Sequence, residues 1–185
     1  MAGVSRPGKV TSPPMMQATA LEIAPAAPND VPLLLALIRE LAIYEKLADQ
    51  AVATEASVRN ALFAVRPAAE AVIARVGGEV AGFALYFHNF STFLGKHGLY
   101  LEDLFVRPAF RGHAVGTRLL AHLARLALQR DCGRFEWAVL DWNAPAREFY
   151  EALGAEANAA WIGYRISGDA LRRLAALADG EERPR

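Results

Sequence analysis

The sequence predicts an α/β fold in which helices cover both faces of a mixed sheet. Three observations carry this expectation. Strand-like apolar runs alternate with segments of helical periodicity, a Gly-Gly pair joins two of the runs as a hairpin, and the second half reads strand, helix, strand, helix, strand. The 185 residues suit one domain with terminal extensions, and 54% apolar against 22% charged residues supports a single sizeable core.

The elements follow in order. Residues 20–24 form a short strand. Asn29 or Asp30 caps a helix that takes Pro32 in its first turn. Leu34, Leu37, Ile38 and Leu41 continue it at helical spacing to about Tyr44, and a second helix starts at Thr54 and runs to about Ala64. Residues 71–76 and 80–87 flank the Gly77-Gly78 turn. A loop over 89–98 leads into a strand over 99–106, which Pro108 ends. Val115, Leu119, Leu123 and Leu126 mark the apolar face of the next helix, closed by Gly133. A strand over 134–140 precedes a short helix over 145–153 that Gly154 stops. A strand over 161–166 and a helix over 169–177 complete a domain expected to span 18–178. Residues 1–17 read as a disordered leader in which Met15 or Met16 competes with Met1 as the start, and 179–185 as a flexible tail.

Composition narrows the function. Twenty basic and twenty acidic side chains cancel, which argues against nucleic acid as a partner bound by bulk electrostatics. The longest strongly apolar run, residues 31–38, is far short of a membrane span, and the first residues do not resemble a signal peptide. The single cysteine, Cys132, allows no internal disulfide. His88, His97, His113 and His122 lack ligand spacing, so no metal is expected, and the lone cysteine points to a cytoplasmic setting.

The chemistry concentrates in residues 101–117, LEDLFVRPAFRGHAVGT. A strand enters a tight Arg/Gly loop that opens directly into an amphipathic helix. The free N–H groups and positive dipole end of that helix, with Arg111 beside them and Gly112 and Gly116 permitting close approach, suit a pyrophosphate. Neither the dinucleotide fingerprint nor the Gly-Lys-Ser/Thr phosphate loop is present.

This run resembles motif A of the Gcn5-related N-acetyltransferases (GNAT), R/Q-x-x-G-x-G/A, which seats the pyrophosphate of acetyl-CoA. The likeness extends to Ile38-Arg39-Glu40-Leu41-Ala42 with Tyr44-Glu45, to Gly82-Phe83-Ala84 and to Tyr100-Leu101-Glu102-Asp103. It continues through Asp141-Trp142-Asn143-Ala144-Pro145 with Phe149-Tyr150, in the manner of the diamine (spermidine/spermine) and thialysine acetyltransferase branch. It covers about residues 19–175.

The resemblance implies a mostly antiparallel sheet with a splayed strand pair, and acetyl-CoA as co-substrate. Backbone groups along Leu104, Phe105 and Val106 would meet the pantetheine arm, and Arg111, Gly112, His113, Ala114, Val115, Gly116 and Thr117 would hold the pyrophosphate. Ala114 stands where the motif usually has glycine, which its methyl group permits if that residue has helical dihedrals. Tyr150 would protonate the leaving CoA thiolate, on a helix that Asn143 caps and Pro145 begins, with Asn143 also touching the CoA arm. Glu102 would be the base that takes the proton of the ammonium, with Asp103 as electrostatic support. Strand alternation lets only one of that pair face the cleft. Tyr44, Glu45, Glu136 and Trp137 would bind the acceptor, Trp137 being also a candidate core residue.

The acceptor expected is a primary amine on a small molecule, either a polyamine or a lysine-like amino acid. Ala159-Ala160 before Trp161 and the run Asn89-Phe90-Ser91-Thr92-Phe93 lack carboxylates found in the diamine enzymes, so the two classes rank together. A protein or peptide N-acetyltransferase and a non-enzymatic acetyl-CoA sensor are the alternatives. The branch also implies a homodimer.

Overall fold

The computed structural model describes residues 20–179, which fall into two compact units divided between Leu140 and Asp141. The leader expected over 1–17, the choice of start methionine and the tail from residue 180 lie outside the described residues.

The first unit is a five-stranded sheet in sequence order. Strands β1 (Leu21–Pro25), β2 (Glu70–Val76), β3 (Glu79–Ser91) and β4 (Lys96–Val106) are antiparallel neighbours, and β5 (Arg134–Trp137) lies parallel to β4. Helices α1 (Val31–Tyr44) and α2 (Glu55–Phe63) cover one face. Their Leu34, Leu37, Val58 and Leu62 pack on Ile73, Phe83 and Phe105. Helix α3 (Val115–Gln129) brings Val115, Leu119 and Leu123 to β3 and β4 and buries them, along the stripe its periodicity marks. Each fully buried Leu or Phe contributes about 2 kcal/mol.

Local chemistry fixes the element ends. Thr54 caps α2 reciprocally: its Oγ1 accepts the Ser57 N–H at 3.2 Å while its own N–H donates to Ser57 Oγ at 2.9 Å. Gly77 and Gly78 both hold positive φ in the β2–β3 turn, the geometry that matches strand twist in a two-residue hairpin. Asp30 occupies the N-cap position of α1, yet its carboxylate accepts the N–H of Ala27 at 2.8 Å and pairs with Arg75 at 3.3 Å. It therefore fixes the approach to the helix and leaves the first-turn amides uncapped.

Several boundaries differ from the sequence expectation. The loop expected over 89–98 is mostly strand, because β3 and β4 stay paired out to Ser91 opposite Lys96 and only residues 92–95 turn. Backbone pairing tolerates the polar residues there, and Ser91 Oγ accepts the Leu94 N–H to close the turn. Helix α3 stops at Gln129, before Gly133, and Asp131 takes the left-handed position after it (φ 52°). Strand β5 ends at Trp137, short of Leu140.

The second unit carries α4 (Ala144–Ala152) and α5 (Gly168–Ala176). Asn143 caps α4 as expected, its Oδ1 accepting the Ala146 N–H at 3.3 Å, and Gly154 at φ +87° ends the helix region. Residues 161–166 are not a strand: among the described residues their own unit holds no second strand to pair with. No helix among the described residues is long and apolar enough to cross a membrane.

Candidate active site

The splayed strand pair is present. Strand β5 pairs with β4 only over Gly98–Leu101, and β4 then runs on to Val106 without it. Register on the other side locates a bulge: Leu85 faces Asp103 and Tyr86 faces Leu101, so Glu102 is the extra residue on β4. The Arg107 N–H donates to the Ala81 carbonyl on β3 at 2.9 Å, so by alternation Val106 and Leu104 turn their backbone groups to the open edge. The Val106 carbonyl accepts Arg111 Nε there at 3.1 Å, while the Phe105 ring lies in the core.

After β4 the chain turns through Arg111, Gly112 (φ +77°), His113 and Ala114 into α3. Ala114 does not meet the condition of helical dihedrals under which its methyl group would be tolerated. At φ 58°, ψ 12° it is left-handed, and its methyl group carries the strain glycine avoids. As N-cap of α3 it offers no side-chain acceptor, and the first turn holds no carboxylate. The amides of Val115, Gly116 and Thr117 thus remain for an anion, with the positive helix end behind them. The Arg111 guanidinium lies 4.5 Å over the Tyr44 ring, and His113 Nδ1 is 3.0 Å from the Arg111 carbonyl oxygen.

Helix α1 is tied to the end of β4 by Arg107, which donates to both Glu40 oxygens at 2.9 and 2.6 Å. This anchoring fixes where Tyr44 and Glu45 emerge. Three carboxylates gather there. Burial pushes the Asp103 carboxyl up to about 6, and the negative charges of Glu102 and Glu45 push in the same direction. Burial also raises Glu45. Strict alternation would have separated Glu102 from Asp103; the bulge at Glu102 breaks that alternation, and both charges act on one locus.

Further along the same face of β4, Tyr100 lies with its ring 5.1 Å from that of Phe87 and stands opposite Glu136 of β5. Glu136 Oε2 accepts from Asn89 Nδ2 at 3.0 Å and lies 2.8 Å from Arg134 Nε. The sequence reading passes over Asn89 and Arg134, although the spacing Arg134-x-Glu136 on a strand already puts both on one face. Trp137 is on the other face, its ring 5.0 Å from Phe135 and its register partner the buried Leu101. In the second unit Tyr150 lies on α4, its ring 5.4 Å from Phe149, with the buried Asn143 before Pro145 at the helix start.

An open strand edge, an uncapped helix N-terminus and a carboxylate cluster thus lie along one strand, offering backbone groups, an anion seat and proton acceptors. Residues 39–155 match the model of the acetyltransferase (GNAT) family. The chain is 37% identical over 164 residues to thialysine N-epsilon-acetyltransferase of Bos taurus, covering 83% of this chain and 96% of that one. It is 32% identical over 194 residues to L-ornithine N5-acetyltransferase NATA1 of Arabidopsis thaliana, covering 80% and 85%. The integron cassette protein VCH_CASS6 of V. cholerae superposes with a TM-score of 0.72 at 30% identity, covering 84% of this chain and 97% of that one. The chain belongs to the GNAT family and is an acetyl-transferring enzyme.

Proposed function

We propose that the protein moves the acetyl group of acetyl-CoA to a primary amine of a small molecule, by direct attack of the amine in a ternary complex. The single observation that carries the reading is the open half of β4 ending in the uncapped N-terminus of α3. That edge supplies the backbone groups of Leu104 and the Val106 N–H for an amide-bearing arm, and the loop from Arg111 to Thr117 supplies amides and a cation for a pyrophosphate. The residues fit acetyl-CoA. The names of the relatives, which act on thialysine and on ornithine, support a side-chain amine on an amino acid as acceptor, with polyamines as the second class.

In this reading the acid cluster draws the cationic amine to β4. An alkylammonium, with a pKa near ~10, must lose a proton before it attacks. Glu102 takes that proton, supported by the charge of Asp103, whose carboxyl, pushed up to about 6, ionises just below neutral pH. The amine nitrogen then bonds to the thioester carbon, the carbon–sulfur bond breaks, and the Tyr150 phenol protonates the departing thiolate. No cysteine or serine is assigned an acyl-enzyme role. The family match runs across the division between the two units, which supports residues 18–178 as one catalytic domain. A homodimer is part of it too, supported by the exposure of Trp161 (71%) and Tyr164 (95%), and the single Cys132 supports a cytoplasmic setting.

The test is thiol release from acetyl-CoA with a panel of thialysine, lysine, ornithine, putrescine, spermidine and peptides. Turnover with small amines is the expected result. Tyr150→Phe is expected to lower kcat at least about tenfold with acetyl-CoA affinity near wild type. Acetyl-CoA binding without turnover on any amine, and indifference to Tyr150→Phe, would support a sensor instead.

A further inference from the structure

We infer that Arg134, Glu136 and Asn89 form a subsite for the amino-acid head group of the acceptor, so that this face of the sheet selects amino acids carrying a side-chain amine over diamines of the same length. The inference rests on the acetyltransferase reading and adds to it the residues that choose the substrate.

The three side chains converge over Gly98. A Cβ at Gly98 would stand 2.3 Å from Asn89 Oδ1 and 3.1 Å from Arg134 Nε, so only the bare Cα leaves them room. Two of their polar atoms are buried and unspent. Asn89 Oδ1 has no donor, and Arg134 Nε, although 2.8 Å from Glu136 Oε2, is not aligned to hydrogen-bond it. Buried polar atoms without partners are rare in folded proteins and mark places where something else completes the network. A third of both the Arg134 and Glu136 side chains remains exposed.

A guanidinium beside a carboxylate is the complement of a zwitterion. The outer nitrogens of Arg134 match a carboxylate in two parallel hydrogen bonds, and Glu136 faces the α-ammonium, with Asn89 Oδ1 as the nearest unspent acceptor. The spacing also fits. Glu136 stands opposite Tyr100, three positions along β4 from Asp103, which is about 7–10 Å on the same face. An amine on a three- or four-carbon stem spans that length with its head group at the far end. A diamine would instead bring its second ammonium to the Arg134 cation, where like charges repel.

The experiment uses matched pairs, lysine against cadaverine and ornithine against putrescine, which differ only in the carboxylate, together with lysinamide, which keeps the ammonium and neutralises the carboxylate. For the wild-type enzyme kcat/KM is expected to favour each amino acid over its diamine at least tenfold, with lysinamide falling to the diamine's level. Arg134→Gln is expected to reduce the lysine-to-cadaverine ratio at least tenfold, chiefly through KM for lysine, and Arg134→Lys to restore part of it. An unchanged ratio in a folded Arg134→Gln enzyme overturns the inference. So does a wild-type enzyme that treats lysine, lysinamide and cadaverine alike, a result that needs no variant and leaves the acetyltransferase reading standing. Turnover with no amine of any kind would sink that reading itself, and the inference with it.

Discussion

Two side chains on the loop and strand around the open edge carry measurable strain. Ala114 holds a left-handed backbone with a methyl group attached, a conformation that costs roughly 1 kcal/mol or more over glycine. Ala114→Gly is therefore expected to stabilise the protein by about 1 kcal/mol in denaturant unfolding, and to tighten acetyl-CoA binding because the N-cap no longer presents a Cβ. Asp103 is strained electrostatically. Its carboxyl titrates at about 6 in the folded protein against 3.8 for an ordinary aspartate. Between these values the folded state holds more protons than the unfolded one, so this group makes stability fall as pH rises from about 4 to about 6. Above that window the loss is about 3 kcal/mol. Asp103→Asn is expected to recover most of it at pH 8 and to flatten stability against pH over that window. It should also remove the acid limb near pH 6 from the kcat/KM profile. Such a variant, sturdier and slower, is the signature of a charge kept for chemistry.

At the level of elements, the sheet and its helices were largely readable because each is announced by a local device. The Thr54–Ser57 reciprocity announces α2, Gly77-Gly78 the β2–β3 turn, and Asn143 the start of α4. Thr54→Ala removes one such device. It is expected to cost about 1 kcal/mol in unfolding free energy, read from urea titration, while kcat/KM stays at the wild-type value, since α2 supports the core away from β4. Where the reading of elements failed, the deciding interaction was non-local. Residues 89–91 and 96–98 look like loop because they are polar, but backbone pairing with each other holds them in strands. Residues 161–166 alternate like a strand, but a strand exists only against a partner.

Taken as a whole, the molecule places at one edge of its sheet what the sequence scatters over a hundred residues. Tyr44 and Glu45, the Glu102–Asp103 pair and the Arg111 loop were readable because they sit in contiguous motifs. Asn89 and Arg134 were not, because nothing local says that a residue near the end of β3 and the first residue of β5 meet over one glycine. The Glu102 bulge was equally hidden, being a property of register between two strands. The open half of β4 also grades the protein's resistance to solvent. Strand β3 has neighbours on both sides, while β4 beyond Leu101 has one. In deuterium exchange, amides in the middle of β3 should be the last to label, at the rate of global unfolding, while those of Leu104 and Val106, which face the open edge, label without any opening. Acetyl-CoA should slow exchange at those two amides and at Val115 to Thr117, while leaving β1 unchanged. The cofactor would then serve this sheet as its missing strand.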